Sequence, residues 1–396
     1  FGLYDVGKNI NSIDRDFVAP SDALSSTLPV QGDFRGFGRP SMLFLGRKGQ
    51  LFGMDLFDKR ANNHNAFIAA TSGGGKSFFT NYMVYNYYRR GAKIRIIDIG
   101  GSYKKMCHLF GARYLDFSEE TQICLNPFTF IRDEEKDLQV IVPIIAAMCF
   151  SNGGNPSSVE LELINQAVRW AWASKRTEAG VDDVAAFLHS YRTVCEESGG
   201  SVSGEVVEAA ARLAFTIQNF TSNGAYGRFF NGPSTFDISN DDFVVLELQN
   251  LKGHPALYNV ITLQVIDAVT RDLYLSDRSD RRMIIFDEAF EFLGDSNLIA
   301  DVIEEGYRRA RKYLGSFTII TQSIMDLKQF GAVGEVIRSN SAFKFYLESP
   351  IFEQARSEKL ITYDDFAMSI LTSTKSNKPN YSEIFMETPQ IGRAHV

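Results

Sequence analysis

The chain has 396 residues, of which 44% are hydrophobic and 22% charged, with a formal net charge of −7. This is the composition of an ordinary globular protein with room for one large or two modest domains, and it excludes a disordered or fibrous chain. The acidic balance argues against a non-specific coat on nucleic acid, which must neutralise phosphates, and leaves room only for a local basic patch.

Residues 1–40 are rich in Gly, Pro, Ser and Asp and are expected to be a linker or the tail of an upstream domain. MLFLG at 42–46 and QLFGMDLF at 50–57, separated by Arg47-Lys48-Gly49, predict a β-hairpin. The pattern then turns α/β. Ala66 to Ala70 is a short apolar strand, a Gly-rich turn follows, and a helix runs from about Lys76 to Arg90, where Gly91 closes it. Lys93 to Ile99 is the next strand.

From about Glu134 to Asn223 helical periodicity replaces strand signals. Within it, the apolar run Leu138–Phe150 is too short for a bilayer, which needs about 20 residues. It also holds Pro143, so it reads as a buried helix. Ser198 to Gly204 reads as a flexible loop between helices. Strands are expected again at 243–248, 282–288, 317–323 and 342–349, with helices at 254–275 and 297–313 between them. The fold class is therefore α/β, with a mostly parallel sheet covered on both faces. A core of residues 41–133 and 236–390 carries an all-α insertion at 134–235. Cys107, Cys124, Cys149 and Cys195 show neither a close pair nor a zinc-ligand spacing, and read as reduced thiols of a cytosolic protein.

Ala70-Thr71-Ser72-Gly73-Gly74-Gly75-Lys76-Ser77 fits the P-loop pattern, with Ala70 in place of its first Gly. Glycines let successive backbone N–H groups face a phosphate, and the following helix adds the positive end of its dipole. The nucleotide-binding segment is taken as Ala70 through Phe78, with Lys76 reaching the β- and γ-phosphates and Ser77 a ligand of Mg²⁺. Asp287 and Glu288 end an apolar strand, Asp287 to hold Mg²⁺ and Glu288 to polarise the attacking water. Thr321 and Gln322 end the following strand, where Gln322 either senses the γ-phosphate, orients water, or is simply a turn residue at the strand's end. Asp98, Ser102 and Tyr103 follow another strand and either line the same edge or make a turn. Arg308, Arg309, Arg311 and Lys312 form either a solvated face or, in a ring, the source of an arginine finger for the neighbouring subunit.

Several segments occur together in order: QLFGMDLF with NNHN, AATSGGGKS, IIDIGGSY, LNPF at 125–128, IIFDEAFEFL, RRARKYLG and IITQS. From about Pro40 to Pro389 the chain resembles the TraC family of conjugative type IV secretion ATPases. The resemblance implies a RecA-like P-loop NTPase core with an all-α subdomain, hydrolysing ATP with Mg²⁺. It implies hexamers of the chain, cytoplasmic and peripheral at the bacterial inner membrane, working with channel components on pilus assembly and transfer. It assigns Arg311 and Lys312 to the family's Arg-Lys stretch and Gln322 to its glutamine, and it leaves direct nucleic-acid contact open. Phe290 stands where the family often has Trp. The family's N-terminal docking domain and its C-terminal strands beyond Tyr381 are expected to be missing, and IGRAHV at 391–396 is expected to be an adapter-derived, non-native tail. The rival readings are a DNA translocase or coupling protein of the HerA and FtsK kind, and an ATP-binding scaffold without turnover.

Overall fold

The computed structural model describes residue 20 and residues 36–389, except 119–120, 132, 152, 198–202, 275–277 and 294–296. The expectations for residues 1–35, for the loop at 198–202 and for the tail at 391–396 lie outside the described residues.

Gly36–Phe37 (β1), Met42–Leu45 (β2) and Leu51–Met54 (β3) make a small sheet in the order β1-β3-β2. The hairpin is β2–β3, antiparallel, with Met42 opposite Met54 and Leu45 opposite Leu51. β1 pairs in parallel with β3 and falls in the stretch expected to be linker.

The main sheet holds Ala66–Ala69 (β4), Lys93–Asp98 (β5), Arg113–Leu115 (β6), Phe243–Glu247 (β7), Arg282–Phe286 (β8), Gly315–Thr321 (β9) and Phe343–Tyr346 (β10). After a two-stranded hairpin, Ser376–Asn377 (β11) with Tyr381–Ser382 (β12), the strand Phe385–Glu387 (β13) completes it. The order is β13-β10-β4-β9-β8-β5-β7-β6. Every pairing is parallel except β13 on β10. β13 corrects the expectation that strands beyond Tyr381 are missing. Its three residues, like those of β6, are too short a run to show a period.

Successive residues of a strand face opposite sides, and the two cores follow that alternation. Phe67, Ile97, Val244, Leu246, Ile284, Phe286, Phe317 and Ile319 pack on one face. Ala66, Ile68, Ile94, Ile96, Phe243, Val245, Met283 and Ile285 pack on the other. The second face is covered by the small sheet and by Lys76–Tyr88 (α1), whose Phe79, Met83, Val84 and Tyr87 are buried. Lys104–Phe110 (α2) leads into β6.

The first face carries Glu134–Cys149 (α3), Ser158–Lys175 (α4), Val181–His189 (α5), Tyr191–Glu197 (α6) and Gly204–Thr216 (α7), which follow one another between β6 and β7. α3 runs through Pro143. α4 starts with a capping box, Ser157 Oγ accepting the Glu160 N–H while a Glu160 carboxylate oxygen accepts the Ser157 N–H. Among the described residues no helix is long and apolar enough to cross a membrane. Pro255–Tyr274 (α8) and Asn297–Arg309 (α9) cover the same face. Gly306 of α9 is seated on the ring of Phe317, which stacks on Phe286 at 5.9 Å between centroids.

Candidate functional site

The carboxyl ends of four neighbouring strands meet at one edge of the sheet, where open α/β sheets bind ligands. β4 runs into the P-loop, β9 into Gln322, β8 into Asp287 and Glu288, and β5 ends on Asp98. Because β9 lies between β4 and β8, Gln322 emerges between the P-loop and the acidic pair. The Ala70 N–H donates to the Thr321 carbonyl at 3.2 Å, which extends the β4–β9 ladder to the loop's first residue.

Gly73 and Gly75 have φ of +77° and +103°, a region that costs any residue with a Cβ. Gly75 is the N-cap of α1 and supplies no side-chain cap. The first N–H groups of α1 are therefore left to water or to an anionic ligand. The Gly74 N–H returns to the Thr71 carbonyl at 2.8 Å, and the Thr71 hydroxyl donates to the Glu348 carbonyl at 2.9 Å, tying the loop to the chain just past β10.

Adjacent strand residues would point apart, yet the two acids converge. Glu288 adopts φ +56°, a left-handed turn that costs roughly 1–2 kcal/mol in a residue other than Gly. The Glu288 N–H then donates to Asp287 Oδ1 at 2.9 Å. Lys76 Nζ lies 3.0 Å from Asp287 Oδ1 and also hydrogen-bonds Glu288 Oε1. Gln322 Nε2 donates to Glu288 Oε2 at 3.0 Å, and the Tyr103 hydroxyl donates to Asp287 Oδ2 at 2.9 Å. Burial pulls the Lys76 ammonium down, but Asp287 and Glu288 outweigh it and its pKa is raised.

Asp98 builds the neighbouring loop. Its Oδ2 accepts the Ser102 N–H at 2.8 Å, and its carboxyl is pushed up to about 8, first by burial and then by the charges of Asp287 and Glu247. Glu247 at the end of β7 accepts the Gly100 N–H at 3.1 Å and the Gly101 N–H at 2.6 Å.

These groups surround a cavity of about 320 Å³, lined by P-loop residues including Ser72, Lys76, Ser77 and Phe78, and by Ser102, Glu288, Gln322 and Lys378. The Phe78 side chain is largely exposed. Lys378 comes from the turn between β11 and β12 and was not legible as a site residue, because no local motif marks it. A larger cavity of about 450 Å³ is lined by residues at the opposite, amino ends of β5 and β8, among them Lys93 and Arg282. It contains no Gly-rich turn.

The basic cluster does not join the site within one chain. Arg308 and Arg309 pair with Glu304 and Glu305 at 2.6 and 2.5 Å on the exposed face of α9. Arg311 and Lys312 are exposed on the turn at Ala310–Tyr313 that precedes β9. The seven residues of β9 separate them from Gln322, about 23 Å at the rise of an extended strand.

The donors fit Mg²⁺, a hard ion that prefers oxygen and keeps several waters. Ser77 offers a hydroxyl, and Asp287 a carboxylate that is 1% exposed. Among the described residues no group of three or more His, Cys, Asp or Glu is placed to hold a metal ion unaided, so phosphate oxygens would complete the shell.

Comparisons with known proteins agree with this geometry. The sequence pattern of the TraG P-loop domain matches residues 48–394. Protein TraC of Escherichia coli (strain K12) is 28% identical over 318 residues, which are 79% of this chain and 36% of that protein. The chain thus spans about a third of that relative's length. The solved structure of VirB4 of Thermoanaerobacter pseudethanolicus aligns with a TM-score of 0.70 at 19% identity, over 87% of this chain and 93% of that one. The plasmid coupling protein TrwB in complex with ADP and Mg²⁺ aligns at 0.56 and 14% identity, over 78% and 75%. At such identities these two speak to the fold, and the RecA-like P-loop architecture expected from the sequence is borne out.

Proposed function

The chain belongs to the TraG P-loop domain family, and on that premise we propose that it is the ATP-hydrolysing motor of a conjugative type IV secretion ATPase. The observation that carries this reading is the cluster of Lys76, Asp287, Glu288 and Gln322 at the mouth of a Gly-rich phosphate cradle. The similarity to TraC points to the conjugative system.

The residues divide the work by position. The N–H groups of the P-loop and of the first turn of α1 receive the phosphates, and Ser72, Gly73 and the run from Gly75 to Phe78 frame the cavity. Lys76 moves from the two carboxylates to the β- and γ-phosphates when a triphosphate competes for it. That exchange frees Glu288 Oε1 to orient a water, while Gln322 keeps Oε2 in place. Ser77 and Asp287 would hold Mg²⁺, which neutralises phosphate charge when bound. Arg311 and Lys312 act on the nucleotide of a neighbouring subunit, since their own site is a strand's length away. We place the assembly, a hexamer in this reading, on the cytoplasmic face of the inner membrane with channel components as partners.

The test is ATP hydrolysis by wild type, Glu288→Gln and Lys76→Ala, with and without single- and double-stranded DNA. Loss of a water-positioning carboxylate lowers turnover about 10²–10⁴-fold. Glu288→Gln should lose turnover and keep nucleotide binding, while Lys76→Ala loses both. Strong stimulation by DNA would favour a coupling protein or translocase instead, and absence of turnover in an assembled wild type would favour a scaffold.

A further inference from the structure

The hairpin of β11 and β12 lies over the P-loop and is fixed there from several directions. The Ser376 N–H donates to Glu348 Oε2 at 2.8 Å, beside the Glu348 carbonyl that holds Thr71. Ser376 and Ser382 join through their hydroxyls at 3.0 Å across the hairpin. The Lys375 N–H donates to Glu383 Oε2 at 2.9 Å, and Glu383 accepts from Arg47 Nε at 2.8 Å and Nη2 at 2.6 Å. A Cβ on Gly75 would lie 2.7 Å from Ser382 Oγ, so the hairpin closes directly on the cap of α1.

This frame carries one cation into the cavity. Lys378 lines it together with Lys76, Glu288 and Gln322. A Cβ on Gly73 would lie 2.7 Å from Lys378 Nζ. Lys76 is already shared by two carboxylates. Among the described residues no ion pair engages Lys378, whose side chain is exposed. The cavity thus has one cation saturated by protein acids and one that is not.

We propose that Lys378 is a second phosphate-binding cation of this site, contacting the polyphosphate over Gly73. The inference rests on the P-loop reading above and adds a residue to it. The hairpin presents the ammonium to phosphate oxygens cradled by Gly73, and Gly73 has no side chain to stand between them. The contact is one of charge, so it recognises the polyphosphate and not the base. It also supplies a positive charge at the phosphates before Lys76 has left Asp287 and Glu288.

The experiment measures dissociation constants of Mg·ATP and of inorganic tripolyphosphate for the 396-residue chain, its Lys378→Met and Lys378→Arg variants, and Lys76→Ala. Lys378→Met should weaken both ligands about tenfold, equivalent to about 1.4 kcal/mol. Lys378→Arg should stay within about twofold of wild type, and melting temperatures should not move, because the side chain is exposed. Unchanged affinity in Lys378→Met overturns the proposal. So does a loss confined to ATP, which would mean the hairpin acts on the nucleoside, and so does a loss that arginine fails to restore. If wild type binds neither ligand, or Lys76→Ala binds them as well as wild type does, the P-loop reading itself falls and this inference with it.

Discussion

Replacing Lys76 tests the electrostatics of the site. Its ammonium side chain is 11% exposed and lies 3.0 Å from Asp287 Oδ1, whose side chain is 1% exposed. At that distance and an effective dielectric of 20, the gross attraction is about 5 kcal/mol. Desolvation of both groups cancels part of it, and Asp287 keeps its hydrogen bonds from Tyr103 and from the Glu288 N–H. Lys76→Met is therefore expected to destabilise the nucleotide-free fold by about 2–3 kcal/mol, because it strands a buried carboxylate. Adding Asp287→Asn should restore more than half of that loss, since the stranded charge is then gone. The raised Lys76 pKa fixes the pH window: its stabilisation is complete below the unfolded value of about 10.4 and is lost as pH rises through the folded value. Urea unfolding monitored by circular dichroism gives both numbers, with an unchanged slope confirming that only stability has moved. A Lys76→Met variant within about 0.5 kcal/mol of wild type, or a double variant no more stable than the single one, would refute the reasoning.

Gly306→Ala places a Cβ 2.4 Å from Phe317 Cζ. The clash costs about 1–3 kcal/mol and exceeds the gain of roughly 1 kcal/mol in helix propensity, so thermal melting should fall, whereas an unchanged melting temperature would mean that α9 slides freely on β9. Arg311→Ala should lower hydrolysis at least about tenfold while leaving nucleotide affinity intact, as expected for a group acting in trans. Mixing it with Lys76→Ala subunits should recover part of the activity, and an Arg311→Ala chain with full turnover removes that role.

The phosphate cradle was legible because its chemistry demands particular residues in a contiguous run: Gly73 and Gly75 for their backbone, Lys76 and Ser77 for their heads. Asp287 and Glu288 were legible as acids closing an apolar strand. How they converge was not, since the left-handed turn at Glu288 has no residue signature. The strand order was equally hidden. Nothing local says that β9 inserts between β4 and β8, although this alone brings Gln322 onto Glu288. For Tyr103 the sequence left open a place at the site's edge or in a turn, and the packing of the loop after β5 makes it a partner of Asp287. Lys378 and Glu247 reach the site across 302 and 147 positions, from Lys76 and from Gly100 respectively, and are unreadable from sequence because distance along the chain says nothing about distance in space. The short strands β6 and β13 escape for a different reason, their brevity.

β9 has a consequence beyond its own residues. It has the exposed basic turn at its entrance and, at its exit, the glutamine that holds Glu288. It is buried along its whole length and hydrogen-bonded to β4 and β8 on both edges. Such a strand shifts only by breaking hydrogen bonds on both edges and opening packed surface on both faces, so the turn that carries Arg311 and the end that carries Gln322 are held at a fixed separation.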